Sequence, residues 1–422
     1  MDRLNQTITR WQGMGLIATT LLGTGVFILP QLTIAIAGDK APLAWALLLL
    51  AILPLTLVFA ELGRRYAHAA GPAYFVEQAY GKVAGRVIGL MFLFVVPLGA
   101  PAALIMTFEF LKPLVTLTSQ QALTGELLVI AILFFANRRG LQLSGKAQLG
   151  LTLAILAVVL LMLGALLFSP SVAPQGAAIE AATVSIKSGN NHDILAAIGL
   201  AVWSFLGIEA VTHLASEFKD VKRDFIPATL GGVTLVGLIF IGCTYLSLLA
   251  PYDPLAMVGA FELLLGDSGR WVIGILGLVS GIATVNVYFA SLARLAWSFS
   301  HDGALPAGLK PLNKHKVPAA ALLAFLLLSA LILVVCYLLD QDFPAIVRWV
   351  NGAFVLIYGA AMLAAWRLLP KRYRPAVAAG LAACALFAYS LGSSMAYALI
   401  LVVILTVWVL GQRYWQQNIA TT

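Results

Sequence analysis

Uncharged apolar runs separated by short polar connections recur along the whole chain. A helix needs about 20 apolar residues to cross a hydrocarbon core of about 30 Å. On that measure the pattern predicts twelve spans, at 14–38, 42–64, 83–111, 122–138, 147–169, 193–216, 228–250, 271–299, 317–339, 344–367, 375–391 and 394–411. Little chain is left for a soluble domain. Two of the runs are interrupted. The first contains Gly23-Thr24-Gly25, and the sixth contains Trp203-Ser204-Phe205-Leu206-Gly207-Ile208-Glu209, where an acid joins the glycine. An unpaired amide or carbonyl costs several kcal/mol in hydrocarbon, so a helix breaks there only where the freed groups face protein or a water-filled cavity. Close helix packing is the competing reading for Gly23, Gly25 and Gly207, and the paired positions of the breaks weigh against it.

Composition agrees with the pattern. Apolar residues make up 61% of the chain and charged residues 10%, against about 25% charged in soluble domains. The class is an all-α, multi-pass membrane protein. The net charge of +8 looks at first like an anionic partner, but its placement gives another account. Alternate connections carry Arg64, Arg65, Lys82 and Arg86, then Arg138, Arg139 and Lys146, then Lys219, Lys222 and Arg223, then Lys310, Lys314 and Lys316, and finally Lys371, Arg372 and Arg374. The intervening connections hold mainly Lys40, Lys112, Lys187 and Arg270, so both termini are expected in the cytoplasm. The charge is topological, and nucleic acid is not implied. Basic residues near helix ends also suit anionic lipid head groups. Cys243, Cys336 and Cys384 all fall within apolar spans and read as packing residues. The run after the polar segment Met1–Gln12 is longer than a signal-peptide core, so the first span is expected to remain in the mature chain.

Spans one to five and six to ten each open on a broken helix. Because five is odd, the second set must cross the membrane in the opposite sense, as an inverted repeat does. The expected organisation is one transporter domain over 1–422, with repeats at 14–169 and 193–367 and two further helices at 375–411. At the midplane of such a fold a half-helix N-terminus offers amides to an anion, and a half-helix C-terminus offers carbonyls to a cation. A zwitterion suits both.

Gly23-Thr24-Gly25-Val26-Phe27-Ile28-Leu29-Pro30 resembles the first-helix Gly-X-Gly motif of the amino acid–polyamine–organocation transporter superfamily. Ser216-Glu217-Phe218-Lys219-Asp220-Val221-Lys222-Arg223-Asp224-Phe225-Ile226-Pro227-Ala228 resembles that family's acidic, basic and Pro-Ala junction into span seven. Within the superfamily the chain is most similar to the bacterial branch that exports methionine and branched-chain amino acids. The resemblance implies a LeuT-like fold of twelve helices in the bacterial cytoplasmic membrane. It implies that amides around Thr24, Gly25 and Val26, beside Gly23, receive a substrate carboxylate. Carbonyls near Trp203, Ser204 and Phe205, before Gly207, would receive its ammonium, with Trp203 and Phe205 as walls. For Trp203 a plain packing role remains the alternative. Some proton-coupled relatives carry a lysine in span five in place of sodium. Here Leu149–Phe168 has none, and Lys146 lies near the cytoplasmic end, which leaves the coupling ion open.

A carboxylate at a helix centre is disfavoured by about 2.5–3.5 kcal/mol, so Glu209 is a functional candidate by default. Burial disfavours the charged form of a carboxyl, which suits a proton carrier. The alternative is a permanently hydrogen-bonded acid that holds the break open. His213 follows one turn later and Glu217 one turn beyond, a proton path towards the cytoplasm if His213 is not simply structural. Thr284 and Asn286 suit a cavity, a cation or helix–helix hydrogen bonding. Asn351 and Tyr358 are weaker cavity candidates. Snorkelling or interfacial pairing accounts for Glu61, Glu109 and Arg294.

Apart from Glu209 the breaks carry no charge, and their apolar neighbours suit aliphatic or thioether side chains. The reading is an alternating-access exporter of methionine, leucine, isoleucine and valine by proton antiport, with no cofactor and no metal. An importer or exchanger of the same fold is the alternative. A membrane enzyme would need a cluster that the scattered His68, His192, His213, His301 and His315 do not form, and a channel would need a repeated pore-lining pattern.

Overall fold

Apolar chain in hydrocarbon must satisfy its backbone within each segment, and the described chain is accordingly helical. The computed structural model describes residues 8–23, 25–66, 68, 71–140, 145–168, 187–209, 218–301, 303–341 and 343–419. The first apolar run becomes α1 (Arg10–Leu22) and α2 (Leu29–Ala37). A capping box between Thr9 and Gln12 starts α1, and Pro30 in the first turn starts α2. Next come α3 (Ala41–Arg65), α4 (Pro72–Tyr80), α5 (Lys82–Glu109), α6 (Ser119–Arg138) and α7 (Gly145–Phe168). The sixth run opens with α8 (Asn191–Ala201), capped by Asn190 and Asp193, and continues into a 3-10 turn at Val202–Phe205. The remaining helices are α9 (Val221–Ser247), α10 (Ala256–Leu265), α11 (Gly269–His301), α12 (Ala319–Leu338), α13 (Phe343–Leu368), α14 (Arg374–Leu391) and α15 (Met395–Ile419).

Nine segments among the described residues are long and apolar enough to cross a membrane, the last of which, Lys371–Tyr414, contains α14 and most of α15. The broken runs are not among them: Arg10–Leu22, Leu29–Ala37 and Asn191–Ala201 are each too short. Two helices fall where no span was expected. Gly71 and Gly81, both at positive φ, bracket α4, which packs on α5 and α13. Leu255 precedes α10 and Gly266, at φ 94, ends it. Helix α9 begins at Val221 rather than 228, because the Asp220 side chain accepts the Arg223 amide and caps the earlier turn.

The two broken runs are joined at both ends. Near one end Ile8 bridges Phe218, and the Lys219 amide donates to the Ile8 carbonyl at 3.0 Å. Near the other, Gly38 bridges Ser188, and the Gly189 amide donates to Asp39 at 2.9 Å. The start of the first run thus meets the end of the sixth, and the end of the first meets the start of the sixth. They lie antiparallel. Gly38 is required there, since its φ is +57 and a Cβ would run into the Lys187 carbonyl. The junction into α9 is part of the same fastening: Phe218 is fully buried and packs edge-on to Phe225, with centroids 5.2 Å apart. The three cysteines are buried and free.

Candidate functional site

At the first break α1 stops at Leu22, and Gly23 turns the chain at φ +34. The helix resumes when the Gly25 carbonyl accepts the amides of Ile28, at 3.2 Å, and Leu29, at 2.9 Å. The amides of Val26 and Phe27 make no backbone hydrogen bond among the described residues. Thr24 lies outside the described residues. At Gly25 the requirement is room: a Cβ would stand 2.6 Å from Leu29 Cδ1 and 3.7 Å from Trp203 Cδ1. The break is supported from α11. Ser280 Oγ donates to the Gly23 carbonyl at 3.2 Å, and the Thr284 side chain lies beside Gly23. Ser280, Thr284 and Tyr288 follow at i, i+4 and i+8 along one face of α11.

The second break is held by side chains. The 3-10 turn gives way to extended backbone at Leu206, and Gly207 sits at φ +116. Glu209 is buried, and its carboxyl folds back over the break. One oxygen, Oε2, accepts both the Gly207 amide at 3.0 Å and the Tyr358 hydroxyl at 2.5 Å. Tyr358 is fully buried, with its ring edge-on to Phe59 at 5.2 Å. Two turns earlier on α13, Asn351 Nδ2 donates to the carbonyls of Gly199, at 2.8 Å, and Leu200, at 3.1 Å. One helix therefore braces the chain on both sides of the interruption. The Tyr288 phenol is also within electrostatic range of the Glu209 carboxyl.

Between the breaks lies a cavity of about 20 Å³, bounded by Thr20, Leu21, Gly23, Gly25, Ala103, Trp203, Ser204, Leu206, Thr284 and Tyr288. A water needs roughly 10–15 Å³ measured this way. The described cavity therefore has room for about one water, and an amino acid requires it to widen. No charged residue lines it among the described residues. The Trp203 ring lies between Gly25 and Gly99, approaching each to within ordinary van der Waals distance of where a Cβ would be. Ser204 Oγ is buried without a hydrogen-bond partner among the described residues.

The expected site residues divide. Gly23, Gly25, Trp203 and Ser204 line the cavity, whereas Val26 and Phe205 are buried in the core beside it. The carbonyl of Trp203 already accepts the Leu206 amide at 3.1 Å, and that of Phe205 accepts Ile208 at 3.4 Å, so each has only its second lone pair to offer. His213, Ser216 and Glu217 lie outside the described residues, as does the side chain of Lys146. Asn286 takes the helix–helix role, accepting from Asn137 of α6. Glu61 is fully buried and paired with Arg64, at 2.7 Å, and with Arg65, while Glu109 pairs with Lys112 at 2.6 Å and Arg294 is exposed. Sequence reading missed Ser280 and Tyr288; the signal available was their i±4 spacing from Thr284.

Paired helix breaks around an uncharged cavity define a membrane carrier for a small solute. The chain belongs to the amino acid permease family, within the amino acid–polyamine–organocation superfamily, with the family model matching residues 8–420. It is 35% identical to the L-methionine/branched-chain amino acid exporter YjeH of Escherichia coli strain K12, over 95% of each chain. It is 26% identical to the uncharacterized amino acid permease YecA of Bacillus subtilis, covering 88% of this chain and 87% of that one. The low-affinity putrescine importer PlaP of Escherichia coli is 28% identical over 64% of this chain and 61% of its own length.

Proposed function

We propose that this permease exports neutral hydrophobic amino acids, methionine, leucine, isoleucine and valine among them, across the bacterial cytoplasmic membrane in exchange for protons. The observation that carries the proposal is the meeting of two helix breaks around an uncharged cavity, with a buried carboxyl fastened to one of them. The similarity to a protein named as a methionine and branched-chain exporter supports the substrate class. In this reading the amides at Thr24, Gly25, Val26 and Phe27 take the carboxylate. The carbonyls at Trp203, Ser204 and Phe205 take the ammonium, joined by Ser204 Oγ. Leu21, Ala103, Trp203 and Leu206 offer the apolar wall for an aliphatic or thioether side chain. Among the described residues no charged side chain lines the cavity, which disfavours acidic and basic substrates, since a charge moved from water into such a cavity would go unpaired.

Glu209 is the proposed proton carrier, with His213 its relay towards the cytoplasm. Protonation removes the charge that Gly207 and Tyr358 solvate, so it loosens the second break at the edge of the substrate site. Each equilibrium then biases the other, and the coupling is reciprocal. Twelve spans arranged as a 5+5 inverted repeat, with both termini cytoplasmic, fit the antiparallel broken runs and the alternation of basic connections.

The test is counterflow of radiolabelled amino acids in proteoliposomes, with and without an imposed pH gradient. Methionine and leucine should exchange, lysine and glutamate should not, and a gradient should accelerate net movement of the transported species. Exchange of lysine as fast as leucine would sink the substrate assignment, and indifference to the gradient would sink the proton.

A further inference from the structure

Away from the breaks, Lys82 and Arg86 of α5 and Arg413 of α15 converge on a cavity of about 420 Å³ that Val83 and Val409 also line. That volume falls in the range of small-ligand sites, about 300–1,000 Å³. The two helices pack against each other, and deeper along their seam the Phe94 and Trp408 rings stand 6.1 Å apart. The cavity therefore has a cationic mouth and an apolar wall, and it opens at the end of the helices that carries the basic connections.

Several other basic residues at that end are occupied by the protein itself. Arg64 and Arg65 hold Glu61. Arg367 lies 4.2 Å over the Tyr80 ring and donates to the Ala79 carbonyl at 3.1 Å. Arg374 lies over Trp366 at 5.4 Å. Lys82 and Arg413 differ, because neither pairs with a carboxylate among the described residues. Cations gathered from two helices around one cavity repel one another unless an anion joins them.

We propose that this seam is a binding site for an anionic phospholipid, its phosphate held by Lys82, Arg86 and Arg413 and the upper part of an acyl chain laid along Val83 and Val409. The apolar wall favours a lipid over a free anion, and the position near the helix ends is where a head group lies. A bound lipid would also link α15, outside the two proposed repeats, to α5 within the first.

Native mass spectrometry of the full chain, reconstituted with equal amounts of phosphatidylglycerol and phosphatidylcholine, tests this. The parent should retain phosphatidylglycerol in preference. Lys82→Gln with Arg413→Gln should lower that preference at least about tenfold, since each basic residue near an anionic lipid contributes roughly fivefold, while Lys82→Arg with Arg413→Lys should keep it. Should the double glutamine variant be polydisperse, Lys82→Gln alone should still show a loss of at least about threefold. An unchanged preference in the glutamine variants overturns the site, and so does an equal loss of both lipids. In phosphatidylcholine nanodiscs, added phosphatidylglycerol should raise the thermal midpoint and the same concentration of inorganic phosphate should not. Equal protection by phosphate overturns the lipid in favour of a free anion.

Discussion

The two helix breaks solve one problem by different means. At the first, glycine does the work: Gly23 turns the chain, Gly25 keeps the approach open, and Ser280, which bonds the broken backbone, is neutral. At the second, Glu209 caps the Gly207 amide, Tyr358 fixes Glu209, and Asn351 ties down the carbonyls on the far side. A backbone-defined break presents the same donors at any pH. A break held by a carboxyl changes when that carboxyl gains a proton. On the proposed function the first break serves recognition alone and the second adds coupling to it, and mutations should separate the two.

Gly25→Leu should have the largest effect. Its Cβ would enter the space between Leu29 and Trp203, and the remaining side chain would occupy the cavity. Leucine and methionine affinity should fall by at least about 100-fold, the scale of a severe overpacking penalty, while the protein stays folded and monodisperse. Near-parental affinity, measured by scintillation proximity on purified protein, would remove the first break from the site.

Glu209→Gln should leave exchange intact and abolish its response to a pH gradient. The geometry favours this substitution, because the Gly207 amide and the Tyr358 hydroxyl reach the same oxygen, Oε2. The Gln carbonyl oxygen can take that place without a proton to exchange. A variant accelerated by the gradient as strongly as the parent would make Glu209 a structural cap and direct attention to His213.

Braces should rank in the same order as the charges they touch. Hydrogen bonds to charged groups contribute about 1.5–3 kcal/mol and neutral ones about 0.5–1.5. Tyr358→Phe, which removes the hydroxyl on Glu209, should therefore destabilise more than Ser280→Ala, which removes the bond to the Gly23 carbonyl. The difference should also shrink in acid, where Glu209 becomes neutral. Equal losses in thermal midpoint at high and low pH would contradict a charged Glu209 in this bond.

Much of this division is written in the sequence. Gly23, Gly25 and Gly207 mark both interruptions because only glycine-rich chain leaves a membrane helix so abruptly, and Glu209 stands out because an acid there has to be explained. The braces were harder to read. Asn351 and Tyr358 are seven residues apart on a helix with no break of its own, and nothing in α13 says which helix it faces. The same holds for Ser280 and Tyr288 on α11. Helix α4 was missed because at nine residues it is too short to cross a membrane, although Gly71, Pro72 and Gly81 punctuate both its ends. Periodicity tells which residues share a face, and only packing tells what that face meets.

The smallest predicted effect falls where the two breaks meet. Ser204 Oγ is buried at the cavity and has no hydrogen-bond partner among the described residues, unlike Thr284, whose hydroxyl donates to the Ser280 carbonyl at 2.9 Å. A buried hydroxyl left unpaired carries a desolvation cost of roughly 1–3 kcal/mol that a bound ligand can relieve. Ser204→Ala should consequently not lower thermal stability, and should raise it by as much as that cost, since no hydrogen bond among the described residues is lost. Substrate affinity should fall by about three- to tenfold, the equivalent of one hydrogen bond. Isothermal titration with leucine reads the affinity, and leucine carrying a blocked amine separates the roles. If Ser204 Oγ meets the ammonium, the blocked ligand should bind parent and variant alike. A variant that loses stability but not affinity would make Ser204 a packing residue, and would leave the second break with coupling as its sole contribution.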